Sequence, residues 1–225
     1  MSVTKPPPNI CADAARYALL RRLMPAMLHN MAGALQPIGM TAAIMEKRLQ
    51  TATPDLLSIT KSSGNIKTLA RDASSSFMDL MTWLAPKATR QVAVNVGIED
   101  TLGMVSTELS FRGFTIINGT ASVCAEVPQN ILRSVFMAAL LALTDTAPSS
   151  GQVTIRAHVT NDEIVLKIEF IAAGTDSLQD SLQVYRLLDW HDVQYLADAE
   201  GVNFARAHNT VTLRIAHHAA RAIAD

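Results

Sequence analysis

The stretch Leu28-His29-Asn30-Met31-Ala32-Gly33-Ala34-Leu35-Gln36-Pro37-Ile38 holds the side chains best suited to chemistry. An imidazole is nucleophilic near neutral pH, because its unperturbed pKa is about 6.5. The His29 side chain can therefore take a phosphoryl group and hand it on. On a helical wheel His29 falls off the apolar stripe, beside Arg22, Pro25, Gly33 and Gln36. Ala26, Ala32 and Gly33 are small, so another protein can approach the ring. Arg21 and Arg22, one to two turns earlier, can reach an acidic rim or a phosphate; the plainer reading is a solvated helix face. His217-His218 have no further ligand spaced with them, and Asp145 and Asp176 read as surface residues. Cys11 and Cys124 lack metal-ligand spacing and form no secreted disulfide framework. Trp83, Trp190 and the ten methionines read as packing residues.

Two long helices must position His29. The first is expected over about 12–50, with the stripe Leu20, Leu23, Met27, Met31, Ala34, Ile38, Met45, Leu49. Pro25 and Pro37 each remove a backbone donor and are expected to bend or break it. The second is expected over about 55–85, with Thr53 as its cap and Pro54 at its first position. Its stripe is Leu56, Ile59, Ser63, Ile66, Ala70, Ala73, Phe77, Leu80, Leu84, a heptad-like alternation. A hairpin of two such helices buries one side of each. A second hairpin covers the rest, giving a four-helix bundle and a homodimer; packing on the C-terminal domain is the alternative.

Pro86 to Arg90 reads as a linker. Beyond it the pattern predicts a strand at Val92, Val94 and Val96, a helix from Ile98 to Phe111, and a strand from Phe114 to Asn118. An apolar helix over 128–143 follows, then strands over 152–159 and 164–170. Leu178 to Ala199 reads as a helix, and 202–206 with 211–215 as a last hairpin. This order predicts an α+β fold, with helices over one face of a mixed sheet. The domains are expected at 10–85 and 91–218.

The 225 residues carry a formal charge of −1, 49% apolar and 17% charged side chains. Those proportions support a buried core and argue against extended disorder. The near-zero charge disfavours general nucleic-acid or anionic-membrane binding. No apolar run approaches the roughly 20 residues of a membrane span. The Pro-rich start (Pro6, Pro7, Pro8) does not read as a signal peptide, so a cytoplasmic protein is expected.

The stretch around His29 resembles the phospho-acceptor box of bacterial two-component histidine kinases, in the variant His-Asp-Met-Asn-Asn-x-Leu-Gln-Pro-Ile. His29, Met31, Leu35, Gln36, Pro37 and Ile38 match. The resemblance implies a dimerisation and phospho-acceptor hairpin followed by an ATP-binding α/β sandwich. It covers nearly the whole chain in architecture and about ten residues in specific motif. The departures are informative. Kinases of this family usually have Asp or Glu after the His as general base, where this chain has Asn30, which takes no proton at neutral pH. Gly33 stands where Asn or Thr orients water for dephosphorylation. The helix that carries a metal-holding Asn in the family reads Val135 to Leu143 here, without Asn or Glu. Ile171 to Asp176 does not reproduce Asp-x-Gly-x-Gly, and no phosphate loop replaces it.

A hairpin joined to a degenerate ATP-binding domain is similar to the dimeric histidine phosphotransferases of the ChpT type. That resemblance implies a relay between response-regulator receiver domains: phosphoryl leaves an aspartyl phosphate, rests on His29, and moves to another Asp. The receiver supplies Mg²⁺, so no cofactor or metal of the chain's own is expected. Arg22, Asn30, Gly33 and Gln36 become the expected partner contacts around His29. The competing reading is a pseudokinase scaffold that binds a receiver or kinase without being phosphorylated. An active ATP-dependent kinase is disfavoured.

Overall fold

The computed structural model describes residues 8–84, 90–160, 162–177 and 186–216. The chain divides into two compact units, Met24–Ala85 and a second that joins Met1–Leu23 to Pro86–Asp225. The expected linker at 86–89, and His217-His218, lie outside the described residues.

Helix α1 (Pro8–Leu49) has 42 residues, about 63 Å of helix. It runs through Pro25 and Pro37 rather than breaking at them. Each proline removes one N–H, from the carbonyls of Arg21 and Gly33. Arg21 and Gly33 are both exposed, so water replaces the lost donors and the remaining ladder carries the helix. Helix α2 (Leu56–Leu84) is capped two positions later than expected. Asp55, not Thr53, accepts from the backbone N–H groups of Leu57 and Ser58 at 3.1 and 3.2 Å. Arg48 ties the hairpin end by donating to the hydroxyls of Ser58 and Ser62. Met31, Ala34, Ile38 and Met45 are half-buried, as are Ile59, Ile66 and Phe77. Leu49 and Leu56, placed in the stripes from sequence, are instead exposed on either side of the connecting turn.

The second unit is built on a five-stranded sheet in the order β2-β4-β5-β7-β6. Its strands are β2 (Phe114–Gly119), β4 (Ser149–Val159), β5 (Glu163–Ser177), β6 (Asn203–Ala207) and β7 (Thr210–Ala216). β2 pairs with β4 in parallel and the other pairs are antiparallel. Strand periodicity separates the faces. Val153, Ile155, Ile164, Leu166, Ile168, Val211, Leu213 and Ile215 are buried. Arg156, Lys167 and Arg214, in register on the other face, pair with Glu169 and Glu163 in solvent. Short β1 (Gln91–Ala93) and β3 (Glu126–Pro128) pair separately. The helices are α3 (Val94–Phe111), the run α4 (Gln129–Ile131), a π-helical turn (Leu132–Phe136) and α5 (Met137–Asp145), and finally α6 (Trp190–Ala199). This is the α+β architecture expected from the sequence.

Three local expectations fail for physical reasons. Val94 and Val96 belong to α3, not to a strand: the N–H groups of Val94 and Asn95 donate to Ala125 and Val123 carbonyls and turn the chain into the helix. β5 continues to Ser177 because Ala172 and Ser177 still pair with β4. Helix α6 starts at Trp190, since Asp189 and Asp192 form a capping box there; the earlier part of the expected helix, 178–185, lies outside the described residues.

The first third of α1 packs inside the second unit. Ala12, Ala15, Leu19 and Leu23 are buried, at steps of three and four. Arg16 donates to Glu200 beyond α6 at 2.9 Å. Arg22 donates to both carboxylates of a buried cluster: Glu108 on α3, at 2.9 Å from Nη1, and Asp145 at the end of α5, at 3.1 Å from Nε. Arg112 reaches the same Asp145 at 2.7 Å. The Asp145 side chain is 0% exposed, so it is a core anion and not the surface residue expected. Burial works against the charge of Arg22, but its hydrogen bonds to the Glu108 and Asp145 carboxylates outweigh it and raise its pKa above the ordinary value. A raised cationic pKa keeps this contribution whole throughout neutral and acidic pH as far as Arg22 is concerned. Asp145→Ala leaves the buried Arg22 and the half-buried Arg112 short of a counter-charge and should destabilise the chain by about 3 kcal/mol or more. Urea unfolding checks this; a loss below about 1 kcal/mol would show the cluster to be dispensable.

Candidate functional site

His29 stands on an exposed part of α1. At about 100° per residue, Pro25, Gly33 and Gln36 share its face of the helix. All three are exposed. A Cβ built on Gly33 would meet no atom within 4 Å, so the space one turn beyond the ring is open. Pro37 leaves the Gly33 carbonyl without its i+4 donor, which adds a polar acceptor to this face. Thr41 donates its hydroxyl to the Pro37 carbonyl at 2.8 Å and supports the following turn. Asn30, next in sequence, is also exposed but lies about 100° round the helix.

The structure thus brings His29, Gly33 and Gln36 onto one open face, with Asn30 at its margin. It does not bring Arg22 to them as a free cation. Arg22 is buried and bound to Glu108 and Asp145, so neither a partner contact nor a solvated face describes it. Arg21 is the exposed arginine, with its guanidinium 5.9 Å from the Tyr17 ring centroid. Among the described residues, no three His, Cys, Asp or Glu side chains come together as a metal-binding group. No described helix is long and apolar enough to cross a membrane.

Helix α5 is apolar all round. Met137, Ala138, Ala139, Leu140, Leu141, Ala142, Leu143 and Thr144 are all buried. A helix packed on every side has no polar face to turn toward a ligand. The segment Ile171–Asp176, which in sequence stands where the resemblance puts a nucleotide loop, is strand.

Sequence reading missed a second row on α1. Ile10, Ala14, Tyr17, Arg21, Met24, Leu28, Met31, Leu35, Ile38, Ala42, Met45 and Leu49 recur in alternating steps of four and three. Ile10, Tyr17, Leu28 and Leu35 on this row are 58, 63, 56 and 47% exposed. A heptad count would have found it. The neighbouring row at Leu23, Met27 and Ala34 absorbed the apolar signal, since both rows share Met31, Ile38, Met45 and Leu49.

No family model matches the chain, and no curated protein matches it. Similar solved structures include the histidine kinase AdeS of Acinetobacter baumannii, at 15% identity over 80% of this chain and 96% of that one, with a TM-score of 0.46. A histidine kinase of Burkholderia phymatum is 13% identical over 88% of this chain and 99% of its own, with a TM-score of 0.44. A bacterial phosphotransferase is 15% identical over 87% of this chain and 94% of its own, with a TM-score of 0.37.

The open space at Gly33 sets a stability test. Gly33→Ala adds a methyl group where nothing lies within 4 Å. It should stabilise α1 by about 0.5–1 kcal/mol, because alanine loses less backbone entropy in a helix. Thermal unfolding checks it; a lower midpoint would mean that this face is covered.

Proposed function

We propose that the chain is a histidine phosphotransferase of a two-component phosphorelay, with His29 as the residue that carries the phosphoryl group. The observation that carries this reading is an exposed imidazole on a cleared helix face, inside a box that matches the phospho-acceptor pattern from His29 to Ile38. A ring nitrogen of neutral His29 attacks the phosphorus of a receiver's aspartyl phosphate. The N–P bond forms as the P–O bond to the aspartate breaks, and the carboxylate leaves with the electron pair. In the second half a carboxylate oxygen of another receiver attacks, and the N–P bond breaks back to imidazole. Such transfer depends on positioning and on the receiver's electrostatics, so it requires no base at position 30.

Homodimerisation belongs to the same reading. Within the described residues of Met24–Ala85, the apolar side chains that are fully buried are Met27, Ala73 and Trp83. The hairpin's other apolar positions are half-buried or exposed, as expected of half a four-helix bundle. The reading also holds that Mg-ATP is not a substrate, since α5 has no free polar face.

His29→Gln removes the nucleophile and keeps a polar, helix-compatible side chain. With phosphorylated receivers as donors, the wild-type chain should acquire acid-labile label and the variant none, with its fold unchanged by circular dichroism. Label on the variant at the wild-type rate would refute the role of His29. Tight receiver binding without labelling of the wild type would identify a scaffold. Calorimetry with Mg-ATP should give no heat of binding; micromolar affinity would overturn the phosphotransferase reading in favour of a kinase.

A further inference from the structure

Gly33 and Pro37 both weaken a helix, and they stand one and two turns beyond His29 on α1. They act on one and the same peptide group. Pro37 has no N–H to give to the Gly33 carbonyl, four residues back. Gly33 has no Cβ to shield that carbonyl, and a Cβ placed there would meet no atom within 4 Å. Gly33 is exposed, about 40° round the helix from His29 and about 6 Å along its axis. The next carbonyl on this row is treated differently: the Pro37 carbonyl accepts the Thr41 hydroxyl at 2.8 Å. Within the hairpin unit, a bared carbonyl is thus placed beside the imidazole and on its exposed face.

We propose that the freed Gly33 carbonyl is a specificity-determining contact, which accepts a hydrogen bond from an N–H group of the receiver that meets His29. The inference deepens the phosphotransfer reading above and rests on it. In the free chain water satisfies this carbonyl. A docked receiver displaces that water, so the oxygen gains a donor on the receiver or is left unpaired at a cost. A receiver with an N–H at this point is accepted, and one without it is penalised. The helix holds the acceptor in place, so no side-chain rotamer has to be fixed on binding. The missing Cβ lets the partner's main chain come close to it.

The test uses the full chain and a phosphorylated receiver, with label on the chain followed against receiver concentration. Pro37→Ala returns an N–H to the Gly33 carbonyl and so removes the free acceptor. The half-maximal receiver concentration should rise about tenfold, as for one lost hydrogen bond, while the labelling rate at saturation stays that of the wild type. Gly33→Ala keeps the carbonyl free but sets a methyl group in the path of approach, and should raise the same concentration at an unchanged saturating rate. Gly39→Ala is the control for helix stiffness. It lies on the same stretch, is exposed with nothing within 4 Å, and should shift neither quantity. Unchanged concentration dependence in Pro37→Ala overturns the inference and leaves transfer through His29 standing. An equal shift in Gly39→Ala traces the effect to stiffness and overturns it as well. If Pro37→Ala does not fold, Gly33→Ala decides, and wild-type behaviour there overturns the inference. A wild-type chain that no receiver labels refutes the phosphotransfer reading, and this inference falls with it.

Discussion

Two carboxylates and two guanidinium groups gathered where α1, α3 and α5 meet fix how the start of α1 sits in its unit. Asp145 accepts from Arg22 and Arg112, and Glu108 accepts from Arg22. Removing such charges from water is costly, and an apolar replacement of the whole set is often no less stable. Geometric selection is what the cluster contributes. One placement of α1 satisfies both anions at once, whereas a slide of a single turn would strand a charge in the core. The small side chains Ala12, Ala15 and Ala18 let the helix come close enough for that placement. A helix 42 residues long therefore has its first third assigned to one unit and the remainder to the other.

The same constraint bears on α5. Its C-terminal Asp145 is held by arginines, and its body is packed on all sides by apolar neighbours. A helix in that position serves as the spine of a core, and its sequence, nearly free of polar side chains, is what such a position selects. The sheet follows suit: β5 pairs with β4 through Ala172 and again, across a register shift, at Ser177.

The sequence made the large elements legible because their signals are local. Inward rows on α1 and α2, Gly113 with its positive φ after α3, and the alternation in β4, β5 and β7 all follow from periodicity or turn chemistry. The failures have local causes too. Val92, Val94 and Val96 alternate like a strand, yet only Val92 is one, in β1; backbone bonds to Val123 and Ala125 turn the chain into helix from Val94. The Arg22–Asp145 pair was invisible because its members are far apart in sequence and each, taken alone, resembles a surface charge. The His29 box was legible as a motif, but the fate of Arg22 beside it was not, since burial is a tertiary property.

Three rows divide the circumference of α1, and their angles set His29 apart from both apolar rows. Taking about 100° per residue, the row through Met27 and Ala34 points inward, and the heptad row through Met24, Leu28 and Leu35 lies about 80° to one side. His29 is about 100° from Leu28 and about 160° from Met27, on neither row. Gly33 and Gln36, one and two turns on, keep that third face low and polar. Under the proposed role of His29, a receiver reaching the imidazole competes with neither apolar row. Moving the histidine by one residue in either direction would lose this. Position 28 is in the heptad row and position 30 turns toward the inward row, so the proposed role is tied to a single register of the helix.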